Sequence, residues 1–188
     1  PLISNFYIKP DIDLDGCILW LDGKDPFYSG VAPKSNTYIS EWRDKSGLGN
    51  NGVANTPVLY NMGLNFTETE YFTGTCINTS NLLTVMSVCT CSSLAQRNSA
   101  GRVVSLGING INDYNNSQYM YLGRFQSSNG LVGWRDSKYV VNNTPNINQP
   151  YLFETWFDGT KNNTTVQKGE NTSIANYNST GKFDTRAF

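Results

Sequence analysis

Two short runs of apolar residues near the start of the chain predict β-strands. Residues 17–21 are five consecutive apolar residues, bounded on both sides by Asp-Gly pairs. A run this short without a polar break is typical of a strand that is buried on both faces. Residues 38–42 alternate instead, with Ile39 and Glu41 on the opposite side from their three neighbours. This second run predicts a strand with one buried face.

The polar stretch that follows, residues 43–52, predicts a rigid corner. Asp44 and Ser46 carry side chains that accept hydrogen bonds from nearby backbone N–H groups in turns of this kind. Gly47 and Gly49 can adopt the left-handed conformations that tight turns require. We therefore expect a loop rich in local hydrogen bonds, which fixes the chain at the end of the second strand.

The rest of the chain continues as strands separated by loops. Residues 63–66 and 71–72 predict the two arms of a hairpin around a turn at residues 67–70. Residues 82–89 are β-branched and nearly unbroken, so they predict a strand in the core. No stretch of ten or more residues shows a helical period, and the pattern as a whole predicts an all-β fold. The further predicted strands are residues 102–106, 119–125, 130–135 and 151–157.

A motif around the corner combines aromatic, acidic and glycine residues. It consists of Leu19-Trp20-Leu21-Asp22, then Asp25, then Trp42-x-Asp44-x-Ser46-Gly47-x-Gly49-Asn50. This motif resembles the signature of the laminin-G-like branch of the concanavalin A-like lectin/glucanase superfamily. The resemblance implies a two-sheet antiparallel jelly-roll sandwich over residues 15–188, a single domain after an irregular lead-in at residues 1–14. The family pattern continues past residue 188, so we expect further residues or a neighbouring protein to complete the sandwich.

Composition argues against a nucleic-acid partner and favours a neutral polar surface. The 188 residues carry 14 basic and 15 acidic side chains, for a formal net charge of −1, whereas nucleic-acid binding needs clustered Lys and Arg. Charged residues make up 15 % of the chain and aromatic residues 13 %, which favours an extracellular or virion-surface protein. No apolar run approaches the roughly 18 residues of a membrane helix, so we expect no membrane insertion.

The sequence shows no arrangement of residues that predicts catalysis. There are 0 His residues, which excludes His-based acid–base chemistry and His-containing catalytic triads. No glycine-rich phosphate loop and no nucleophile elbow is present. A glycoside hydrolase is an alternative that needs two carboxylates about 5–9.5 Å apart across a cleft. Glu68 and Glu70 do not suit such a pair, because they lie together in one predicted turn and not on the two sides of a cleft.

The acidic residues of the lead-in have the spacing of calcium ligands. Asp11, Asp13 and Asp15 alternate with apolar residues and are followed by Gly16, as at the start of an EF-hand loop. Pro10 excludes the helix that would enter such a loop. Calcium therefore stays an alternative to a solvated acidic lead-in, and we expect no other metal or cofactor.

The chain contains four Cys residues, Cys17, Cys76, Cys89 and Cys91, which fit no zinc-binding pattern. The spacing of Cys89 and Cys91, with one residue between them, is shorter than that of the Cys pairs in zinc sites. Two interpretations stay open for these residues. They are buried as small apolar side chains, or Cys76 forms a disulfide with Cys89 or Cys91.

One region of the second half carries the residue types that bind sugars. Sugar binding in sandwich folds uses an aromatic platform for the apolar face of a pyranose and polar side chains for its hydroxyl groups. Tyr121 and Trp134 are equally compatible with ordinary positions in a sheet. The candidate ligand-binding residues are Asn112, Asp113, Tyr114, Tyr119, Tyr121, Trp134, Arg135 and Asp136.

Asn-x-Ser/Thr sequons are frequent in this chain. In a secreted protein such sequons are acceptors for N-linked glycans and lie on the surface. Their density in the second half predicts that this half is largely solvent-facing. The candidate glycosylation sites are Asn65, Asn78, Asn115, Asn142, Asn162, Asn163, Asn171 and Asn178.

These observations lead to two hypotheses of function. The first is a non-catalytic glycan-binding or adhesion module on a cell or particle surface, which the resemblance, the neutral polar surface and the long loops favour. The alternative is a structural virion component, a minor capsid or capsid-surface protein that uses the sandwich as a building block. The expected partners are glycans or neighbouring structural proteins, and the expected location is extracellular or on a virion surface.

Overall fold

The computed structural model of the chain is built from antiparallel strands. Within its described residues it contains no helix, so the predicted all-β class is confirmed, and this part of the chain has no helix that could cross a membrane. The chain forms two compact units, Pro1–Phe72 and Thr73–Phe188. The structure describes residues 15–67, 69–76, 82–90, 101–106, 120–124, 131–135, 138–142, 148–157, 161–168 and 171–178.

The predicted lead-in at residues 1–14 lies outside the described residues, and the prediction of a single domain over residues 15–188 stays a prediction.

The first sheet consists of four strands, with β2 at its centre. Strand β2 pairs with β1 and β3 in antiparallel fashion and also with β4. These strands are β1 (Thr37–Trp42), β2 (Gly52–Tyr60), β3 (Leu64–Asn65) and β4 (Phe72–Thr73).

One face of the pair β1 and β2 is buried, as the alternating pattern of residues 38–42 predicts. Ile39 lies opposite Val58 in the register, and both side chains are fully buried. Their neighbours Tyr38 and Ser40 in β1 are exposed. Because successive side chains of a strand point to opposite faces, this burial fixes the register of the pair.

The prediction of a strand buried on both faces at residues 17–21 is wrong. This segment forms only an isolated bridge between Leu21 and Asp44, and its side chains are partly buried. Its backbone groups bond to the corner instead of to a ladder. The Trp20 N–H donates to the Asp44 carboxylate at 2.9 Å, and the Ile18 carbonyl accepts from the Asn50 amide at 2.7 Å.

The predicted hairpin between residues 63–66 and residues 71–72 is also wrong in its pairing. Both segments form strands, but β3 and β4 each pair with β2 and not with each other. The hairpin in this region joins β2 to β3, and the Asn61 N–H donates to the Gly63 carbonyl across its turn at 2.9 Å. Residues 67–70, the predicted turn of this hairpin, therefore connect two strands that both pair with β2.

The second unit contains two four-stranded antiparallel sheets. Their strand orders are β12-β11-β10-β5 and β6-β7-β8-β9. The strands predicted at residues 82–89, 102–106, 119–125, 130–135 and 151–157 correspond to β5, β6, β7, β8 and β10. The bounds are β5 (Leu83–Thr90), β6 (Gly101–Leu106), β7 (Met120–Arg124), β8 (Leu131–Arg135), β9 (Lys138–Asn142), β10 (Pro150–Phe157), β11 (Lys161–Lys168) and β12 (Asn171–Asn178).

The core of the second unit draws residues from both of its sheets. Leu106 at the end of β6 and Phe157 at the end of β10 are buried together with Cys76. Leu83, Val85 and Val104 pack against this cluster. The complete burial of Cys76 agrees with its interpretation as a small apolar core residue, and the alternative disulfide stays a prediction because Cys91 lies outside the described residues.

Strand β5 is partly buried on one face and exposed on the other, which differs from the core strand predicted at residues 82–89. Met86 and Val88 on its other face are 61 % and 67 % exposed. Val88 lies opposite Leu152 of β10, which is also exposed. These three residues form an apolar stripe on the outer face of this sheet, defined here as Met86, Val88 and Leu152.

Candidate functional site

The predicted sugar-binding region is only partly described by the structure. Tyr121 of β7 and Trp134 of β8 are register partners, so the backbone brings these two positions together. Arg135 ends β8, opposite Met120. This site stays a prediction, because the other candidate residues, Asn112, Asp113, Tyr114, Tyr119 and Asp136, lie outside the described residues.

The predicted glycosylation sites are spread over several strands. Asn65 in β3 is exposed, and its amide donates to the Gly63 carbonyl at 3.0 Å. Asn162 and Asn163 lie in β11, which pairs on both sides. Asn142 ends β9, Asn171 begins β12, Asn178 ends β12, and Asn78 and Asn115 lie outside the described residues.

The Asp44 corner, residues 44–51, has the geometry that the sequence predicts. The Asp44 carboxylate is buried and accepts hydrogen bonds from the Ser46 N–H at 2.9 Å, the Ser46 hydroxyl at 2.6 Å and the Asn50 N–H at 3.0 Å. Gly47 and Gly49 adopt the left-handed conformations with φ of 90° and 74°. Together with the bond from Trp20, these contacts make a single carboxylate the centre of the corner.

Among the described residues, it is hydrogen-bond donors and not a cation that stabilise the charge of Asp44. Burial by itself raises the pKa of this carboxyl, but the donors from Ser46, Trp20 and Asn50 outweigh burial and lower its pKa. The backbone N–H of Asp44 in turn donates to the Asn51 side chain at 3.0 Å. Hydrogen bonds to a charged acceptor are stronger than neutral ones, so the corner is held firmly.

A second buried carboxylate, Asp25, organises the loop that precedes β1. It accepts hydrogen bonds from the Ser29 N–H at 2.9 Å, the Ser29 hydroxyl at 3.2 Å and the Gly30 N–H at 2.9 Å. The Tyr28 N–H donates to the Asp25 carbonyl at 3.1 Å. We call residues 22–31 the Tyr28 loop, and its middle portion wraps around the Asp25 side chain.

Lys45 links the Asp44 corner to the Tyr28 loop. Its Nζ lies 2.8 Å from Asp22 Oδ2 and 2.9 Å from Asp25 Oδ2, and its side chain is only 12 % exposed. The same Nζ lies 5.8 Å from the ring centroid of Trp20 and 5.6 Å from that of Tyr28. One ammonium group therefore holds two carboxylates and contacts two aromatic rings.

This arrangement shifts the pKa values of its ionisable groups. Burial by itself lowers the pKa of Lys45, but Asp22 and Asp25 outweigh burial and raise it. Burial raises the pKa of Asp25, and the contacts with Lys45, Ser29 and Gly30 outweigh burial and lower it. Burial and the two carboxylates together raise the pKa of Tyr60. At neutral pH the loop is thus held by charged partners.

Tyr28 in this loop adopts an uncommon backbone conformation. Its φ is 53°, in the left-handed region that large side chains rarely adopt, and the residue is 57 % exposed. Val31, three residues further along the same loop, is 70 % exposed. Strained backbone of this kind is enriched at binding sites, where the surrounding structure must hold it in place. The loop therefore presents an aromatic ring to solvent on a fixed support.

Sequence reasoning did not identify this loop as a site. Asp22 and Asp25 belong to the motif that carries the family resemblance, but Tyr28 stands in a turn without any periodic pattern. The usable signal is chemical: two aromatic residues, Phe27 and Tyr28, stand between an Asp-Pro pair and a Ser-Gly pair, and these pairs fix a turn.

The other aromatic cluster of the first unit is a packing element. Trp42, Phe66 and Phe72 have ring centroids 5.5–6.3 Å apart. The buried Nε1 of Trp42 has no hydrogen-bond partner within the described part of the chain. Its ring meets Phe72 nearly edge-on at 66°, a geometry in which aromatic rings attract each other. This cluster joins β1 and β4 to the residue that follows β3.

Metal binding has no support in the described part of the chain. No group of three or more acidic, Cys or His residues there is placed to hold a metal ion. Two of the residues behind the calcium alternative, Asp11 and Asp13, lie outside the described residues, so that alternative stays untested. Asp22 and Asp25 do meet, but the cation between them is the Lys45 ammonium.

The Asp44 corner agrees with the motif that resembles the laminin-G-like branch, since Asp44, Ser46 and the two glycines adopt the expected turn. Local turn geometry is not proof of a family, because Asp, Ser and Gly form such turns in many folds. The resemblance therefore stays a prediction. Comparisons with protein-family models, with curated proteins and with solved structures found no match for this chain.

Proposed function

We propose that this protein is a non-catalytic glycan-binding or adhesion module that acts on a cell or particle surface, and that the Tyr28 loop contacts the glycan. The observation that carries this proposal is the exposed ring of Tyr28, which is 57 % exposed in a left-handed conformation. The apolar face of a pyranose stacks on such a ring, and the stack contributes roughly 0.5–1.5 kcal/mol.

The fixed support of the ring favours binding. Binding costs free energy when a loop must become ordered, and a loop that is already ordered avoids this cost. Asp25 binds the backbone N–H groups of Ser29 and Gly30, and Lys45 anchors Asp25 from the other side. Tyr is well suited to such a position, because it provides a large contact area with little side-chain entropy to lose.

The ionisation of the nearby carboxylates supports a non-catalytic role. A glycoside hydrolase needs a carboxylic acid with a raised pKa that can donate a proton to the leaving group. The pKa of Asp25 is lowered, and its carboxylate is bound to Lys45. Asp25 therefore stays ionised at neutral pH and cannot act as that acid.

We also propose the concanavalin A-like jelly roll as the architecture of the chain. The two four-stranded antiparallel sheets of the second unit, with a core drawn from both, support a sandwich in that unit. The Asp44 corner supports the family resemblance in the first unit. The neutral composition and the exposed sequon residue Asn65 support an extracellular or virion-surface location.

A glycan array with the protein displayed multivalently tests the function. We expect binding to a subset of glycans, and Tyr28→Ala is expected to weaken binding to them about 2- to 10-fold per site. Tyr38→Ala is the matched control, because Tyr38 is also an exposed Tyr, 66 % exposed, but lies on β1. The proposal fails if no glycan is bound, or if the two variants bind equally well.

A second candidate function is the structural virion component. The observation that favours it is the apolar stripe of Met86, Val88 and Leu152, because exposed apolar side chains grouped in this way are typical of surfaces that meet another protein. Sedimentation velocity over a range of concentrations should then show association that Val88→Asp abolishes. Thr84→Asp is the control, since Thr84 is exposed on the same face of β5. A protein that stays monomeric, alone and with its native particle, contradicts this candidate.

A further inference from the structure

We propose that Asn65 carries an N-linked glycan, and that the first sugars of this glycan pack on Leu59 and Tyr38 of the same sheet face. The inference rests on the proposed extracellular or virion-surface location, because N-linked glycans are added to secreted proteins. It does not depend on the Tyr28 loop. It assigns a role to Tyr38, an exposed tyrosine that the proposed glycan-binding site does not use.

The strand register brings the three residues into one row. Leu59 of β2 lies opposite Tyr38 of β1 on one side and opposite Asn65 of β3 on the other. Residues directly opposite each other in antiparallel strands lie on the same face of a sheet. The adjacent pair in the register, Ile39 and Val58, is fully buried and therefore marks the inner face. The outer row, defined here as Tyr38, Leu59 and Asn65, lies on the opposite face.

The outer row joins an accessible amide to an apolar platform. Asn65 is exposed, Leu59 is partly buried and Tyr38 is 66 % exposed. Neighbouring strands are about 4.8 Å apart, so roughly 10 Å separates the two ends of the row. The first two sugars of an N-linked glycan span a distance of this size. The apolar face of the first pyranose can pack on Leu59, and that of the second can stack on the ring of Tyr38.

The aromatic cluster of the first unit keeps Asn65 on the outer face. Phe66 follows Asn65 directly, and its ring centroid lies 6.3 Å from that of Trp42 and 6.0 Å from that of Phe72. Successive side chains of an extended chain point to opposite faces. Because the cluster holds Phe66 on one face, the Asn65 side chain is directed to the other.

The residues around Asn65 suit the transfer reaction. Asn65, Phe66 and Thr67 form the sequon, and all three are exposed. Transfer joins Asn65 Nδ2 to the anomeric carbon of a lipid-linked oligosaccharide, breaks the bond from that carbon to the lipid diphosphate, and releases one amide proton with the diphosphate. The other amide proton stays on Nδ2. It can keep the hydrogen bond to the Gly63 carbonyl at 3.0 Å, while the longer contact with the Asn61 carbonyl at 3.4 Å is given up.

A glycan packed on the outer row changes both the surface and the stability of the first sheet. It covers the exposed ring of Tyr38, which otherwise presents apolar surface to water. It also contacts β1, β2 and β3 at once, so we expect it to stabilise their pairing. The sugars nearest the protein thus act as a part of the fold.

The first experiment asks whether Asn65 is glycosylated. The full chain is secreted from cultured animal cells, and peptide mapping by mass spectrometry measures the occupancy of the site. We expect a glycan on Asn65 in most molecules. Thr67→Ser keeps the sequon and should keep the glycan, whereas Thr67→Ala removes the sequon and should lose it. An unmodified Asn65 in the secreted protein overturns the inference.

The second experiment measures the packing by thermal unfolding of the secreted Thr67→Ser and Thr67→Ala proteins. We expect the midpoint of Thr67→Ser to be higher by about 2–4 °C, as stacking on one aromatic ring predicts for a chain of this length. The same two variants made in bacteria, which add no such glycan, show the effect of the substitution itself. Equal midpoints for the secreted pair, after this correction, contradict the packing.

A second substitution identifies the ring on which the sugar packs. Tyr38→Ala should abolish the difference between the secreted Thr67→Ser and Thr67→Ala proteins. Tyr71→Ala is the matched control and should leave the difference unchanged. Tyr71 is also exposed, at 54 %, but its backbone pairs with Asn55, four residues along β2 from Leu59. If Tyr71→Ala and Tyr38→Ala have the same effect, the assignment to Tyr38 is wrong.

Nuclear magnetic resonance of the protein with a carbon-labelled glycan gives a readout that a general change in stability does not move. Protons of a sugar that stacks on an aromatic ring shift upfield, because they lie in the shielding region of the ring. We expect such shifts for the second sugar on Asn65 and their loss in Tyr38→Ala. Unshifted sugar protons in the unaltered protein overturn the packing.

The outcomes separate this inference from the proposed function. If the glycan array shows no binding while the glycan on Asn65 is packed on Tyr38, the proposed function fails and the inference stands. If Tyr28→Ala weakens binding on the array while Asn65 is unmodified or its glycan is unpacked, the inference fails and the proposed function stands.

Discussion

Two buried carboxylates in the first unit organise two loops by different means. Asp44 is bound by neutral N–H and O–H donors from Trp20, Ser46 and Asn50. Asp25 is bound by two N–H groups and a hydroxyl of its own loop, and in addition by the Lys45 ammonium. The Asp44 corner thus depends on its own donors and on one N–H from Trp20, whereas the Tyr28 loop also depends on a cation from outside the loop.

The two loops also differ at their left-handed positions. The Asp44 corner places Gly47 and Gly49 there, which adopt this conformation without steric cost. The Tyr28 loop has Gly30 at one such position but Tyr28 at the other. A non-glycine residue at that position costs free energy that the rest of the loop must offset. The comparison indicates a corner suited to stability and a loop that keeps a less favourable residue for another purpose.

The largest expected effect is that of Asp44→Ala on stability. This substitution leaves the N–H groups of Trp20, Ser46 and Asn50 without their acceptor in a buried place. We expect the free energy of unfolding to fall by about 3–5 kcal/mol, as measured by urea unfolding. Arg43→Ala is the control, because its exposed contact with Glu41 at 3.7 Å contributes less than about 1 kcal/mol. Equal losses for both variants would contradict the central role of Asp44.

The second-largest expected effect on stability is that of Lys45→Met, which removes the cation that binds the Tyr28 loop. Two carboxylates then stay close together without a partner, and we expect a loss of about 2–4 kcal/mol in the free energy of unfolding. Adding Asp25→Asn removes one of these charges and should recover part of the loss. If the loss in the free energy of unfolding of the double variant equals the sum of the losses of the two single variants, the two residues do not act as a pair.

The pH dependence of the free energy of unfolding should reveal the contributions of Asp25 and Asp44. The folded-state pKa values of Asp25 and Asp44 lie below the ordinary value of 3.8. Their stabilising contribution is therefore complete above pH 3.8 and is lost as the pH falls through the folded-state values. Lys45 has a raised pKa, so its contribution is complete below pH 10.5 and is lost above it. The pKa of Tyr60 is also raised, so both the protein and Lys45→Met should lose stability at alkaline pH. Urea unfolding across pH should show the larger alkaline loss in the protein with Lys45.

The smallest effect distinguishes the two left-handed positions. Gly47→Ala meets no atom within 4 Å but places a Cβ at φ of 90°, so we expect a loss of about 1–2 kcal/mol. Tyr28→Gly relieves a similar strain, which stabilises the fold, but it also removes the contact with Lys45, which destabilises it. These two contributions to the free energy of unfolding should nearly cancel. Thermal unfolding measures both variants. A large loss of stability in Tyr28→Gly would mean that the residue serves the fold and not a ligand.

The strands of the fold could be predicted where the pattern is local. Alternation at residues 38–42 predicts β1 correctly, because one buried face leaves a period of two in the sequence. The same reasoning failed at residues 17–21, since the side chains of Asp44 and Asn50 take the backbone bonds that a ladder would have used. Pairing partners were also not predictable, because a period of two does not specify which strand lies alongside.

The candidate site shows the same division between local and long-range chemistry. The Asp44 corner could be predicted, since Asp, Ser and Gly act within a few residues of each other. The Tyr28 loop could not, because its anchor Lys45 lies far along the chain from Asp25 and no periodic pattern joins them. The left-handed conformation of Tyr28 is imposed by these contacts and has no signature in the residue itself.

The pairing of β5 with β10 has a consequence for biosynthesis. A ribosome makes β5 first and must then make β6, β7, β8 and β9 before its partner emerges. During that interval the nascent strand carries Met86 and Val88 without the neighbour that completes its ladder, and long-range pairing of this kind folds slowly. Chaperone capture during translation is thus expected to be strongest between the emergence of residue 90 and that of residue 157.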